Sequence, residues 1–260
     1  MKLAPLLLLA CSALAVAQTA KKQVSMSESL PASSEHKGAW DLAIWGGGGH
    51  RIAGGFRTTQ IPAMTFQGFS FPAITVRSDN VGEVSLGDIG FRVGRILTAQ
   101  HGSGWYRGNF EYAIDLIPFY MLTGLSQRVT FNVPATCPPT LTCPPGFLLP
   151  PGLSFSSGSK TAFGGGFNPF VIKWNFTGTR RLSPYFELNG GVLFTNREVP
   201  LATSNVNFMS GATIGMNLFT RRGRAISLDF KYSHISNAGL ASPNPGINTL
   251  QAQVGYHWFK

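Results

Sequence analysis

Residues 231–248 read KYSHISNAGLASPNPGIN. His234 and Ser236 stand two positions apart, a spacing that puts both side chains on one face of a β-strand with Cα atoms about 6.5–7 Å apart. Imidazole and hydroxyl can then come within hydrogen-bond reach. That is the minimum for a base-activated nucleophile, in which His234 takes the proton as Ser236 attacks an acyl carbon. The same spacing also suits a plain strand end whose Ser and His face lipid headgroups. Parity narrows the setting, because Ile226, Leu228, Phe230 and Tyr232 fall in line with the pair. Whatever His234 and Ser236 do, they do on a face that seeks lipid.

Such a face must be built by strands, and the chain alternates along most of its length. The first candidate strand sets Trp40, Leu42 and Ile44 against Asp41 and Ala43, and EVSLGDIGFRVGRIL is the second. The third puts Phe110, Tyr112, Ile114 and Leu116 opposite Glu111, Ala113 and Asp115. The fourth has Phe170, Ile172, Trp174 and Phe176 opposite Val171, Lys173 and Asn175; the fifth has Phe186, Leu188, Val192 and Phe194 opposite Tyr185, Glu187 and Asn189. In the sixth, Ala212, Ile214, Met216 and Leu218 oppose Gly211, Thr213, Gly215 and Asn217. AISLDFKYSHIS and NTLQAQVGYHWF are the seventh and eighth. Segments of about ten residues, alternating and joined by turn residues, are the signature of a transmembrane β-barrel. A soluble exported sandwich shares the alternation, but large aromatics on the apolar face and a charged share of only 12% favour the membrane.

Connection lengths supply topology. TGTRRLS and TRRGR are short, whereas the first, third and seventh connections are long. Outer-membrane barrels keep short periplasmic turns and longer external loops, so eight strands with both termini periplasmic place every long connection outside. The expected fold is therefore all-β, an eight-stranded antiparallel transmembrane barrel. A barrel of that size is filled by its own side chains, which argues against a channel and puts any chemistry on a rim or the outer wall.

The first twenty residues carry Lys2, an apolar run and Ala15-Val16-Ala17. These features predict an export signal over 1–17, followed by a polar, flexible leader over 18–38 and the barrel over 39–260. A rival reading of Leu8-Leu9-Ala10-Cys11 as a lipoprotein site would leave very little apolar segment. In an exported chain Cys137 and Cys143, in TCPPTLTCPPG, are disulfide candidates; their spacing is not the C-x₂-C of a metal site. The formal charge of +10 points to anionic lipid headgroups rather than nucleic acid, for which no aromatic stacking motif is visible. WGGGGH lacks the Lys-Ser/Thr ending of a phosphate loop and reads as a bulged strand end. His257 shares the parity of the lumen.

The stretch HISNAGLASPNPGIN resembles the outer-membrane lipid A 3-O-deacylase (acyloxyacyl hydrolase-like) family, through His234, Ser236, Asn237, the Asn-Ala-Gly run, Pro243, Asn244 and Gly246 ahead of the last strand. The resemblance implies an eight-stranded barrel that hydrolyses an ester-linked acyl chain of lipid A. Ser236 would be the nucleophile and His234 the general base, with Asn237 and Asn244 contributing to the oxyanion and substrate-binding site. It implies no cofactor and no metal. Where the family has a glutamate that orients the histidine, this chain has Asn248, and no acidic residue follows Asp229. Asn248 shares the outer parity of Leu250, Ala252, Val254, Tyr256 and Trp258, so its amide oxygen can hold the imidazole's tautomer without supplying a negative charge.

The sequence thus predicts a bacterial outer-membrane ester hydrolase acting on lipid A, lipopolysaccharide or another membrane lipid, its site facing the outer leaflet. The competing expectation is a non-catalytic barrel with a lipid-binding or structural role, which Asn248 favours. Acyl position, chain length and oligomeric state are left open.

Overall fold

The computed structural model describes residues 35–66, 69–80, 82–132, 152–178, 181–240, 244 and 246–260. The export signal, most of the leader and the pair Cys137 and Cys143 lie outside the described residues.

Eight long antiparallel strands close into one barrel. In chain order the strands are β1 (Trp40–Gly54), β2 (Phe56–Ile61), β3 (Met64–Phe66), β4 (Phe69–Phe71), β5 (Ile74–Asn80), β6 (Ser85–Ile96) and β7 (Gly108–Leu125). They continue with β8 (Gln127–Asn132), β9 (Leu153–Ser156), β10 (Lys160–Phe176), β11 (Leu182–Thr195), β12 (Val206–Arg221), β13 (Arg224–Ser236) and β14 (Ile247–Phe259). The barrel runs β1-β14-β13-β12-β11-β10-β7-β6, and β1 closes it by pairing with both β14 and β6. Its eight strands coincide with the eight alternating segments of the sequence. Closure matters because an open sheet edge in hydrocarbon would leave backbone N–H and C=O groups without partners.

Two connections carry structure that alternation did not predict. The first long connection holds β2 to β5, and the third holds β8 and β9. Strands β2-β5-β8-β9 form a separate four-stranded sheet, and β3 and β4 pair as a hairpin. Opposite these ends the turns are short: β12 and β13 are linked by Arg222 and Gly223, whose φ of +72° suits a tight turn that glycine enters without strain.

Side chains sort by parity as expected. Ile214, Phe230 and Phe170 are 70%, 65% and 63% exposed on the outer wall, and Leu116, Leu228 and Val254 are likewise exposed. Inside lie Asp41, Glu111, Asp115, Lys173, Glu187 and Asn217, all buried. A wall this apolar on the outside and this polar within is stable only where hydrocarbon is the outer solvent.

The lumen is held by paired charges. Arg92 grips Asp115 through Nε and Nη2 (2.8 and 2.9 Å) and Glu187 through Nη1 and Nη2 (2.6 and 3.0 Å). Lys173 Nζ lies 3.5 Å from Glu111 and 3.7 Å from Asp41, and Tyr185 donates to Asp229. His257 bonds Asp41 through Nδ1 at 2.8 Å, which gives it the packed, hydrogen-bonded place expected from its parity. At the end where β1 begins and β14 stops, Glu35 is buried and accepts from Ser183 Oγ (2.6 Å) and Asn217 Nδ2 (3.0 Å); burial raises its carboxyl above the ordinary range.

Candidate active site

Strand β13 carries Tyr232, His234 and Ser236 toward the outer wall, ending at Ser236; β14 brings Asn248 in its second position. Their register pairs His234 directly with Asn248, and Tyr232 with Leu250. Directly opposed residues on one face have Cβ atoms about 4.5–5.5 Å apart, and here the side chains close that gap. His234 Nδ1 is 2.6 Å from Asn248 Oδ1. An amide oxygen only accepts, so Nδ1 carries the proton and Nε2 keeps its lone pair, the tautomer a general base requires.

A second donor meets the same oxygen. Tyr232 Oη donates to Asn248 Oδ1 at 2.9 Å. Sequence reading placed Tyr232 among the lipid-facing wall residues and missed this contact. The available signal was the diagonal relation across an antiparallel pair, which a long aromatic side chain can span.

Ser236 shares the outer side with His234, both half-buried, and among the described residues no hydrogen bond joins the two. Beyond Ser236 the chain turns sharply. Ala238 and Gly239 take φ of +51° and +84°, and Leu240 N–H donates to the Asn237 carbonyl at 3.0 Å. Asn237 Oδ1 accepts from the Gly239 N–H (2.9 Å), the local bond by which asparagine stabilises turns. The Asn237 N–H donates to Asn244 Oδ1 at 3.1 Å. Asn237 and Asn244 are thus tied to each other beside Ser236: Asn237 is buried and shapes the turn, while the amide nitrogen of half-buried Asn244 is directed away from that bond.

Gly246 completes the site. Its φ is +66°, and a Cβ there would stand 2.9 Å from His234 Cε1 and 3.5 Å from Nε2. Only glycine lets the backbone at position 246 lie this close to the free edge of the imidazole. The Gly246 carbonyl also accepts from Gly55 N–H at 3.4 Å, which ties the loop to the junction of β1 and β2.

The fold is that of an eight-stranded membrane barrel, and its outer wall carries a histidine bonded to an asparagine, with a serine two residues along the same strand. The family resemblance read from the sequence holds: residues 152–257 match the family model described as lipid A 3-O-deacylase (PagL). That span holds β9 to β14 and all of His234, Ser236, Asn237, Asn244 and Asn248. A crystal structure described as that of the outer membrane enzyme PagL is 14% identical, with 83% of this chain and 97% of that one covered at a TM-score of 0.37. No curated protein matches the chain.

Proposed function

We propose that this protein is an outer-membrane esterase that removes an ester-linked acyl chain from lipid A, with its site facing the outer leaflet. Ser236 Oγ bonds to the ester carbonyl carbon while its proton passes to His234 Nε2. The negative charge that develops on the carbonyl oxygen is met by the side-chain amide of Asn244, which the Asn237 N–H holds through its oxygen, and such a preorganised donor acts strongly at a site partly shielded from water. The carbon–oxygen bond to the sugar then breaks, and the imidazolium returns its proton to the leaving alkoxide. Water, deprotonated by the same imidazole, adds to the acyl carbon; the bond to Ser236 Oγ breaks and the imidazolium returns its proton to that oxygen. The net change is ester plus water to fatty acid plus alcohol.

The observation that carries this reading is the 2.6 Å bond from His234 Nδ1 to Asn248 Oδ1. A structural histidine gains nothing from having its tautomer fixed so that Nε2 is left as an acceptor. A wall that faces lipid also suits a substrate that stays in the membrane: acyl chains lie against Phe230 and Leu250, and the ester reaches the strand end where Ser236 stands. Anionic headgroups suit a chain of formal charge +10.

The second reading, a non-catalytic barrel that binds lipid, draws on the neutral Asn248 in place of the family's glutamate. Lipid mass spectrometry separates the two. The full-length protein in detergent is expected to release a hydroxy fatty acid from lipid A, and Ser236→Ala to cut release by about 10³-fold or more. Equal release from Ser236→Ala would remove Ser236 from the chemistry, and no release from either would favour the structural role.

A further inference from the structure

Asn248 differs from a carboxylate in one respect that matters to the histidine: its two ends are unlike. With Oδ1 toward the ring, the amide accepts the Nδ1 proton. Turned over, it would present its NH₂ group, draw the proton to Nε2 and leave nothing able to take a proton from Ser236. A carboxylate has no wrong way round. A chain with asparagine here therefore needs something to decide which end faces inward.

Tyr232 is the group placed to do so. Its hydroxyl donates to the same Oδ1 at 2.9 Å that accepts from His234 Nδ1 at 2.6 Å. We propose that Tyr232 is a positioning residue that locks the Asn248 amide with its oxygen toward His234, and so selects the imidazole tautomer that serves Ser236. In the turned-over arrangement the amide NH₂ would donate to the phenol oxygen instead, and the phenol's own proton would be left without its acceptor. Tyr232 is 41% exposed on the outer wall near the end of β13, so headgroup water would replace that bond only in part. Backbone register makes the contact available: Tyr232 opposes Leu250, so its ring must lean along the strand by one outward position to meet Asn248. The role deepens the hydrolase reading above and rests on it for its catalytic meaning, but the tautomer itself is measurable without turnover.

The test is ¹⁵N NMR of the histidine-labelled full chain in detergent, with the His234 signals assigned by their loss in His234→Gln. The unaltered protein is expected to show a protonated Nδ1 and a bare Nε2. In Tyr232→Phe the two shifts should move toward each other as the Nε2–H form grows. In the Asn248→Asp background the carboxylate is symmetric, so Tyr232→Phe should leave the tautomer where it was. Turnover should follow the same pattern: Tyr232→Phe lowers kcat about five- to tenfold with KM unchanged when residue 248 is asparagine, and little when it is aspartate. Retained resistance of the barrel band to unfolding in detergent would show that each variant is folded. An Nε2–H signal in the unaltered protein, or a Tyr232→Phe spectrum identical to it, overturns the proposal. So does an equal response in the Asp background, which would assign Tyr232 a general structural effect. Because the spectra do not depend on activity, a protein with the expected tautomers but no hydrolysis would sink the hydrolase reading alone.

Discussion

Replacing Asn248 with aspartate alters one atom of the orienting group and adds a charge, which makes it a sharp probe of the chemistry. The isosteric side chain can keep the 2.6 Å contact to His234 Nδ1 and the 2.9 Å contact to Tyr232 Oη. What changes, in the hydrolysis proposed above, is the stabilisation of the imidazolium that would form as Ser236 gives up its proton. A hydrogen bond to a neutral group contributes about 1 kcal/mol and one to a charged group about 1.5–3 kcal/mol, so the expected gain is about 1–2 kcal/mol. Coulomb's law sets a ceiling: unit charges about 4 Å apart at an effective dielectric of about 20 attract by ~4 kcal/mol. Both partners are half-buried at the strand ends, where headgroup water and ions reduce that figure. The lower estimate converts to a rise in kcat of roughly 5- to 30-fold. Single-turnover release of fatty acid from lipid A in detergent measures it, at a pH where both proteins carry a neutral imidazole, with Ser236→Ala/Asn248→Asp as the blank. Asn248→Glu, which supplies a carboxylate on a longer side chain, should gain in the same direction. A folded Asn248→Asp protein that is no faster than the unaltered one would refute the argument, because residue 248 would then not face a developing positive charge.

Two further outcomes follow from the same geometry. Gly246→Ala places a methyl group 2.9 Å from His234 Cε1 and forces alanine to a φ of +66°; a left-handed backbone costs about 1–2 kcal/mol and a displaced base costs far more in rate. A fall in kcat of about tenfold or more is expected in the lipid A assay, and full activity would mean that the loop yields freely. Ile214→Arg sets a cation in the middle of β12 on the outer wall, where Ile214 is 70% exposed. Near the midplane of a bilayer that costs about 2–4 kcal/mol. Denaturant titration of the barrel folded into lipid vesicles reads the loss, and a change below about 0.5 kcal/mol would mean that residue 214 does not meet hydrocarbon.

Most of the barrel was legible in the chain because strand parity is a property of local sequence. Glu111, Ala113 and Asp115 against Ile114 and Leu116, or Thr213 and Asn217 against Ile214, announce an inner and an outer face before any strand is paired. Alternation failed where the backbone departs from a period of two. Register slips between Phe167 and Phe170 in β10, and between Ile89 and Phe91 where β6 meets β7, shift which residues face inward. The four-stranded sheet of β2, β5, β8 and β9 was likewise hidden, since short strands of mixed polarity such as FRTTQI and QRVTFN carry little periodic signal.

The site divides along the same line. Residue types and their two-residue spacing were enough to put His234 and Ser236 on one outward face, and parity alone put Asn248 on that face too. Sequence could not say which atoms meet, because that depends on the register between β13 and β14. A slip of one residue would have turned Asn248 into the lumen. Register is what set Asn248 opposite His234 and within reach of Tyr232, and the backbone of Gly246, just ahead of β14, stands at the edge of the imidazole only in the folded chain. Faces are written residue by residue along a strand, whereas contacts between strands exist only once the whole cylinder has closed and fixed how its staves are aligned.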